Sequence, residues 1–412
     1  AGVVVVGGGA AGLLAAASAA SRIRAAGSPA PVVVLEAARE PGRKVLVSGG
    51  GRCNVLPSRE ARERFVSSSS RRLVDRFLDR FPLAAQRAFF EGLLGAPLRE
   101  EESGKLFPPT NRARDVRDAL VAHAGTAGAE VRTGAAVRGL TRRDGGGFEL
   151  RLDGETLSAA TVVLATGGRS VLAGGADAAG FEWAAALGHA VRPLAPALVP
   201  LVGDSPPHAA LSGVSVEATV TARSGAEAAA ARGGLLFTHR GWSGPAVLDV
   251  SHVVSRALAA GRAFEVTAAL GCGAEEWDAR LRAGSGTLLG LLRRSLPERV
   301  AALLLVAAGV APDIPLHRLP REARRAVVSS LAAFPLPVTG TEGFRTAEVT
   351  AGGAALEEVD PGSGESRLVP ALFLAGEILD AVGPIGGFNF QWAWATGRTA
   401  GDGAARAFLA GG

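Results

Sequence analysis

The chain has 412 residues, of which 48% are hydrophobic and 20% charged, so two or three globular domains with sizeable cores fit and a disordered or fibrous chain does not. No apolar run reaches the roughly 18 residues of a helical membrane span, and the absence of tyrosine removes every phenol from the possible acids and stacking groups. The net charge of +5 rests almost wholly on arginine, Lys44 and Lys105 being the only lysines, and the arginines are scattered in short pairs, which reads as a solvated surface more than as a nucleic-acid patch.

Two distant cysteines, Cys53 and Cys272, form no C-x-x-C, which points to a reducing compartment and no zinc site. The expected location is cytoplasmic. The chain lacks an initiator methionine, and its first strand opens at the first residue. The N-terminus therefore reads as trimmed, with any targeting peptide out of view.

Gly2 to Val6 reads as a strand, and Gly7-Gly8-Gly9-Ala10-Ala11-Gly12 follows before a helix to Ala26. This is G-x-G-x-x-G between strand and helix. Gly7 permits the turn, Gly9 lets backbone approach a pyrophosphate, and Gly12 lets helix and strand pack closely. Pro31 to Leu35 supplies a second strand, and Glu36 at its end is placed to accept hydrogen bonds from ribose hydroxyls. Ala10 and Ala11 complete the phosphate loop.

A second glycine-rich segment follows, with Arg43, Lys44, Ser48, Gly49, Gly50, Gly51, Arg52 and Asn54 as cofactor contacts. Its glycines admit close backbone approach, and its three cations suit a diphosphate. Cys53 reads as a packed small residue, since no base lies nearby. Residues 60–96 read as helical, as do residues 114–124. Strands are expected at 130–132, 135–142 and 148–152, and Val137 joins the cofactor set. Thr161 to Ala165 reads as a buried parallel strand delivering Thr166, Gly167 and Gly168 to the same site.

The pattern changes near Pro193. Strands are expected at 194–202, 214–222 and 264–270, a helix at 245–259, and helices from 274 to 333. Thr238, His239 and Ser243 lie in a polar turn ahead of that helix. There Ser243 suits a cap and Pro245 the first turn. His239 reads either as a proton donor or acceptor or as a structural loop histidine. A strand at 371–375 ends in Gly376 and Glu377. Glu377 is read as an acceptor for a sugar-alcohol chain. Gly386, Gly387, Phe388 and Asn389 open a last helix whose N-terminus suits negative charge. No Ser-His-Asp signature, H-E-x-x-H or P-loop is present.

Several motifs together resemble one family: residues 7–12, 42–54, 105–108 (Lys-Leu-Phe-Pro), 236–245 (Leu-Phe-Thr-His-Arg-Gly-Trp-Ser-Gly-Pro), 349–353 (Val-Thr-Ala-Gly-Gly) and 376–393. The likeness is to the bacterial FAD flavoproteins labelled aminoacetone-oxidase-like or BaiN-like, with Phe388 standing where that family has tyrosine. It implies an α/β fold. A Rossmann-like, glutathione-reductase-type FAD domain over 1–190 and 346–412 is interrupted by an insert over 191–345. The insert is β-barrel-like at 191–272 and 338–350 and helical at 273–337.

The expected activity is FAD-dependent reduction of a conjugated double bond or carbonyl of a small molecule. With no second G-x-G-x-x-G, NAD(P)H would visit transiently as electron donor. An oxygen-dependent amine or aminoketone oxidase is the alternative within the enzyme class. A flavin-containing RNA-binding or RNA-modifying protein and a non-catalytic flavin sensor are alternatives outside it. No membrane partner is expected, and the oligomeric state is unread.

Overall fold

A computed structural model describes residues 2–170, 178–203 and 209–411. The chain divides into two compact units, Ala1–Leu194 with Val349–Gly412, and Ala195–Glu348.

The first unit begins with β1 (Val3–Val6), α1 (Ala10–Ala25), β2 (Val32–Glu36), α2 (Arg43–Gly51) and β3 (Leu56–Pro57). It continues with α3 (Arg71–Asp79), α4 (Leu83–Leu94), β4 (Arg99–Glu101), β5 (Lys105–Phe107), α5 (Ala113–Ala127) and β6 (Ala129–Thr133). Then come β7 (Val137–Arg142), β8 (Phe148–Leu152), β9 (Thr156–Ala159), β10 (Thr161–Leu164), α6 (Ala179–Ala186) and β11 (Val191–Ala197).

The second unit holds β12 (Leu201–Val202), β13 (Ser215–Ser224), β14 (Glu227–Phe237), β15 (Gly241–Ser243), α7 (Pro245–Ala259) and β16 (Glu265–Leu270). Helices α8 (Ala274–Ala283), α9 (Leu288–Leu292), α10 (Glu298–Ala307) and α11 (Arg321–Ala332) follow, then β17 (Phe334–Pro335) and β18 (Gly340–Thr341). The chain returns to the first unit with β19 (Val349–Ala354), β20 (Leu372–Leu374) and α12 (Phe388–Gly411).

A parallel sheet in the order β20-β10-β1-β2-β6 centres the first unit. Every residue of β1 and β10 is buried, because helices cover a parallel sheet on both faces and leave no polar side. Val3 pairs with Val32 on one side and Thr161 on the other, so the loops after β1, β2 and β10 end at one edge. Helices α1 and α12 interlock through small residues. A Cβ on Gly397 or Gly401 would run into the backbone carbonyls of Ala11 and Ala15.

In the second unit the sheet order is β17-β16-β13-β14-β15-β12-β18. The long hairpin pairs Ser215 with Leu236 through to Ser224 with Glu227. Its core is completed by α7 and by helices α8 to α11, with Trp277 fully buried and its Nε1 donating to the Leu270 carbonyl at 2.9 Å.

Three expectations change in detail. The helical reading of 60–96 resolves into a 3-10 turn at Arg62–Arg64, α3 and α4, since Pro82 takes the N-cap of α4 with an extended backbone. The strand read at 194–202 is two strands, broken where Leu198 takes φ +51°. The stretch from 274 to 333 splits at Gly284, Pro297 and Pro320, each beside a helix start or end.

Candidate functional site

The loop between β1 and α1 is shaped by what its glycines exclude. Gly7 has φ +106°, and a Cβ there would run into the Ala165 carbonyl. A Cβ on Gly12 would run into the Gly7 carbonyl, so α1 starts directly over the turn. Gly9 has open space around it. It is the N-cap of α1, with no side-chain cap bond and no acidic residue in the first turn. The first return bond runs from the Leu13 amide to the Gly9 carbonyl at 2.9 Å. The amides of Ala10, Ala11 and Gly12 therefore face outward at the positive helix end, a ready anion site.

Glu36 is anchored beside this loop. Its Oε2 accepts from the Gly8 amide at 2.7 Å and its Oε1 from the Ala38 amide at 2.8 Å. Each carboxylate oxygen keeps a lone pair for a further donor. Gly8 was not singled out by sequence, yet a Cβ there would sit only 3.0 Å from the Glu36 Cβ.

The second cluster joins segments far apart in the chain. Lys44 Nζ donates to Glu377 Oε2 at 2.5 Å, and Glu377 Oε1 accepts from the Thr350 amide at 2.8 Å. Thr350 Oγ1 in turn accepts from the Arg169 amide at 2.8 Å. A Cβ on Gly168 would run into both Glu377 Oε1 and Thr350 Oγ1. Lys44, expected on a diphosphate, is thus held by Glu377. Glu377 sits in a 3-10 turn after β20 rather than at the strand end. Thr350 was legible only as part of the Val-Thr-Ala-Gly-Gly motif.

Within α2, Gly49, Gly50 and Gly51 have φ +57°, +67° and +82° in succession, a left-handed turn that only glycine makes without strain. Space is open around Gly50 and Gly167. Arg43 is exposed at the start of α2. Arg52 lies 4.2 Å over the Phe107 ring and 2.6 Å from Glu101 Oε1, so its charge is engaged locally. Cys53 is fully buried and burial pushes its thiol up to about 12, which fits a packed residue and not a thiolate. Asn54 Oδ1 and Thr166 Oγ1 are buried without a hydrogen-bond partner.

At the start of α12 the Gln391 amide returns to the Gly387 carbonyl at 2.9 Å, leaving the amides of Phe388, Asn389 and Phe390 outside the helix ladder. The Asn389 side chain closes the preceding loop. It accepts from the Gly383 amide and donates to the Gly383 carbonyl, both at 2.9 Å. Phe388 packs edge-on against Phe65 at 6.0 Å. Gly376 is fixed by α12: its amide donates to Thr396 Oγ1 at 2.9 Å, and its carbonyl accepts from Trp392 Nε1 at 3.1 Å. Gly386 and Gly387 take φ +106° and +95°. Val137 stands apart on β7, half-buried and paired with Leu152.

Thr238, His239 and Ser243 belong to the second unit. The Thr238 amide donates to the Gly241 carbonyl at 2.9 Å and closes a tight turn between β14 and β15, with His239 exposed at its tip. Ser243 lies on β15 and does not cap α7. Gly244, at φ +91°, holds that place because a Cβ there would meet the β14 backbone, and Pro245 occupies the first turn as expected.

Open glycine cradles at Gly9, Gly50 and Gly167, two outward helix ends and orphaned buried oxygens together fit an extended dinucleotide. The HI0933-like protein Rossmann domain matches residues 1–403. The chain belongs to the HI0933-like family. This HI0933-like protein is 33% identical over 372 residues to the ribosomal RNA dihydrouridine synthase of Escherichia coli, covering 89% of this chain and 90% of that one. It is 31% identical to the 3-dehydro-bile acid delta(4,6)-reductase of Clostridium scindens, covering 91% and 93%. The ribosomal RNA dihydrouridine synthase of Haemophilus influenzae is 30% identical, covering 89% and 90%. The HI0933-like chain is an FAD-dependent oxidoreductase. Among the described residues no helix is long and apolar enough to cross a membrane.

Proposed function

We propose that this flavoprotein adds hydrogen across a carbon–carbon double bond conjugated to a carbonyl, with NAD(P)H as electron donor. The carrying observation is that relatives matched over nine-tenths of the chain are named for a dihydrouridine synthase and a delta(4,6)-reductase. Both names describe saturation of a double bond. When bound, FAD supplies the two-electron chemistry.

The protein's own groups then have distinct tasks. The amides of Ala10, Ala11 and Gly12 hold the pyrophosphate. Glu36 accepts from the ribose hydroxyls while Gly8 and Ala38 fix its direction. Lys44 and the Thr350 amide orient Glu377 toward the sugar-alcohol chain. The outward amides of Phe388, Asn389 and Phe390 would favour negative charge on a group bound at the N-terminus of α12. His239, exposed at its hairpin tip, is the candidate donor of the proton that saturation requires.

A second reading narrows the substrate to a uracil base within structured RNA. Relatives from two organisms carry the ribosomal RNA name, and uracil contains such a conjugated double bond.

Anaerobic titration tests the whole reading. NADH or NADPH should bleach the flavin absorbance, and a conjugated enone or uridine-containing RNA should restore it without oxygen. Reoxidation by oxygen alone, with bleaching by an amine in place of NADH or NADPH, would overturn it. His239→Ala should lower turnover about 10²–10⁴-fold with FAD content unchanged. Loss of FAD with normal turnover per bound flavin would assign His239 a structural role.

A further inference from the structure

Helix α3 carries a row of arginines that its own packing does not explain. Val74, Phe77 and Leu78 turn inward and are buried. Arg72, Arg76 and Arg80 follow one another four residues apart, about 6 Å per step along the axis. They lie on the face opposite the buried one, and all three are exposed. Arg71 adds a fourth exposed cation at the helix start.

Several other arginines are paired locally: Arg22 with Asp402, Arg117 with Asp118, Arg280 with Glu276, and Arg324 with Asp278. Among the described residues none of Arg71, Arg72, Arg76 and Arg80 is in an ion pair. Even Asp79, on the same helix, is held by Arg62 at 2.5 Å.

This arrangement is unfavourable for the free helix. Like charges four residues apart repel. Arg71 and Arg72 stand in the first turn, where the helix end is already positive, with no acidic residue there and no side-chain cap bond from Ser70. An anion bound along the row would relieve both terms.

The row is also tied to the candidate site within the same unit. Directly before α3, Val66 bridges Val382, and the Ser68 amide donates to Asp380 Oδ2 at 2.8 Å. Behind the helix, Phe77 packs edge-on against Trp392 of α12 at 5.4 Å. A polyanion on α3 is thus held against the framework that carries Glu377 and the α12 N-terminus.

We propose that the Arg72–Arg76–Arg80 face of α3 docks the phosphate backbone of the RNA that presents the substrate base. This rests on the RNA reading of the substrate given above. Phosphate contacts of this kind fix position without reading sequence.

The test uses the FAD-loaded full chain and a fluorescein-labelled, uridine-containing RNA hairpin, with binding followed by anisotropy across a sodium chloride series. The variant is R72Q/R76Q/R80Q, and R142Q/R143Q is the control. Glutamine keeps the helix and removes the repulsion, so FAD content and flavin bleaching by NADH or NADPH should match wild type. The expected result is that the α3 variant binds about 10- to 100-fold more weakly at moderate salt. Its log–log salt slope should shrink by about 2–3, while the control stays within about twofold of wild type.

An unchanged slope in the α3 variant, or an equal loss in the control, overturns the surface and leaves the RNA reading standing. No saturable binding by wild type overturns both. Binding to phosphatidylglycerol vesicles that depends on these arginines, with RNA binding unaffected by them, also overturns the proposal.

Discussion

Replacing Lys44 with methionine tests whether the pair it forms with Glu377 orders the cofactor site. The substitution keeps the aliphatic stem and removes a donor 2.5 Å from Glu377 Oε2. Among the described residues Glu377 then keeps the Thr350 amide as its donor. A hydrogen bond to a charged group contributes about 1.5–3 kcal/mol, and breaking a fully buried ion pair costs about 3–5 kcal/mol. The side chains here are 27% and 16% exposed, so water recovers part of that loss. About 2 kcal/mol remains, or roughly 30-fold in an equilibrium constant. The loss should fall mainly on FAD affinity, because binding must then reorder a carboxylate the free protein no longer holds. Quenching of flavin fluorescence on the apoprotein gives Kd, and a thermal scan of the same preparation gives the stability share. Glu377→Gln and the double variant complete a cycle, with an expected coupling of about 1–2 kcal/mol. Purely additive losses, or an unchanged Kd in Lys44→Met, would refute the reasoning.

Glu36→Ala should weaken FAD by about 1–3 kcal/mol, measured by the same titration, since it removes a charged acceptor and releases the Gly8 amide. Gly12→Ala should abolish FAD retention on gel filtration, because a Cβ there collides with the Gly7 carbonyl and lifts α1 from the turn. A pH dependence follows from His252, 7% exposed on α7, whose imidazole is pushed down to about 4, chiefly by burial and then by Arg256. The unfolded chain binds the proton first, so the folded state loses about 3 kcal/mol as pH falls from about 6.5 to about 4 and loses no more below that. His252→Gln should flatten that window in urea unfolding series. An identical acid limb in the variant would count against the assignment.

What the sequence made legible was local. The strand, glycine loop, helix, strand and Glu36 follow one another within one βαβ unit, so spacing alone located the anchored carboxylate. The same holds for Pro245 at the start of α7. What stayed hidden depends on partners far along the chain. Lys44 meets Glu377 across 333 positions, and no pattern around either residue announces it. Strand β14 escaped notice because Ala228 to Gly234 carries no β-branched residue. It is a strand because β13 and α7 hold it, a case of context overriding propensity. Gly397 and Gly401 weaken an isolated helix in principle, yet they are where two backbones touch.

The interlock of α1 with α12 bears on how the protein is made. Ala11 and Ala15 are synthesised before the second unit, and Gly397 and Gly401 after it. The edge strand β20 is also a late arrival, completing a sheet whose other members are synthesised before the second unit. Until then β10 has an unpaired edge, a surface prone to wrong pairing. The second unit is continuous in sequence and lies between these two halves, so its contacts can form while the first unit waits. Cofactor loading therefore waits for the segment that follows the second unit, and a chain stalled before it would expose an open nucleotide-binding sheet to the chaperones that patrol nascent polypeptides.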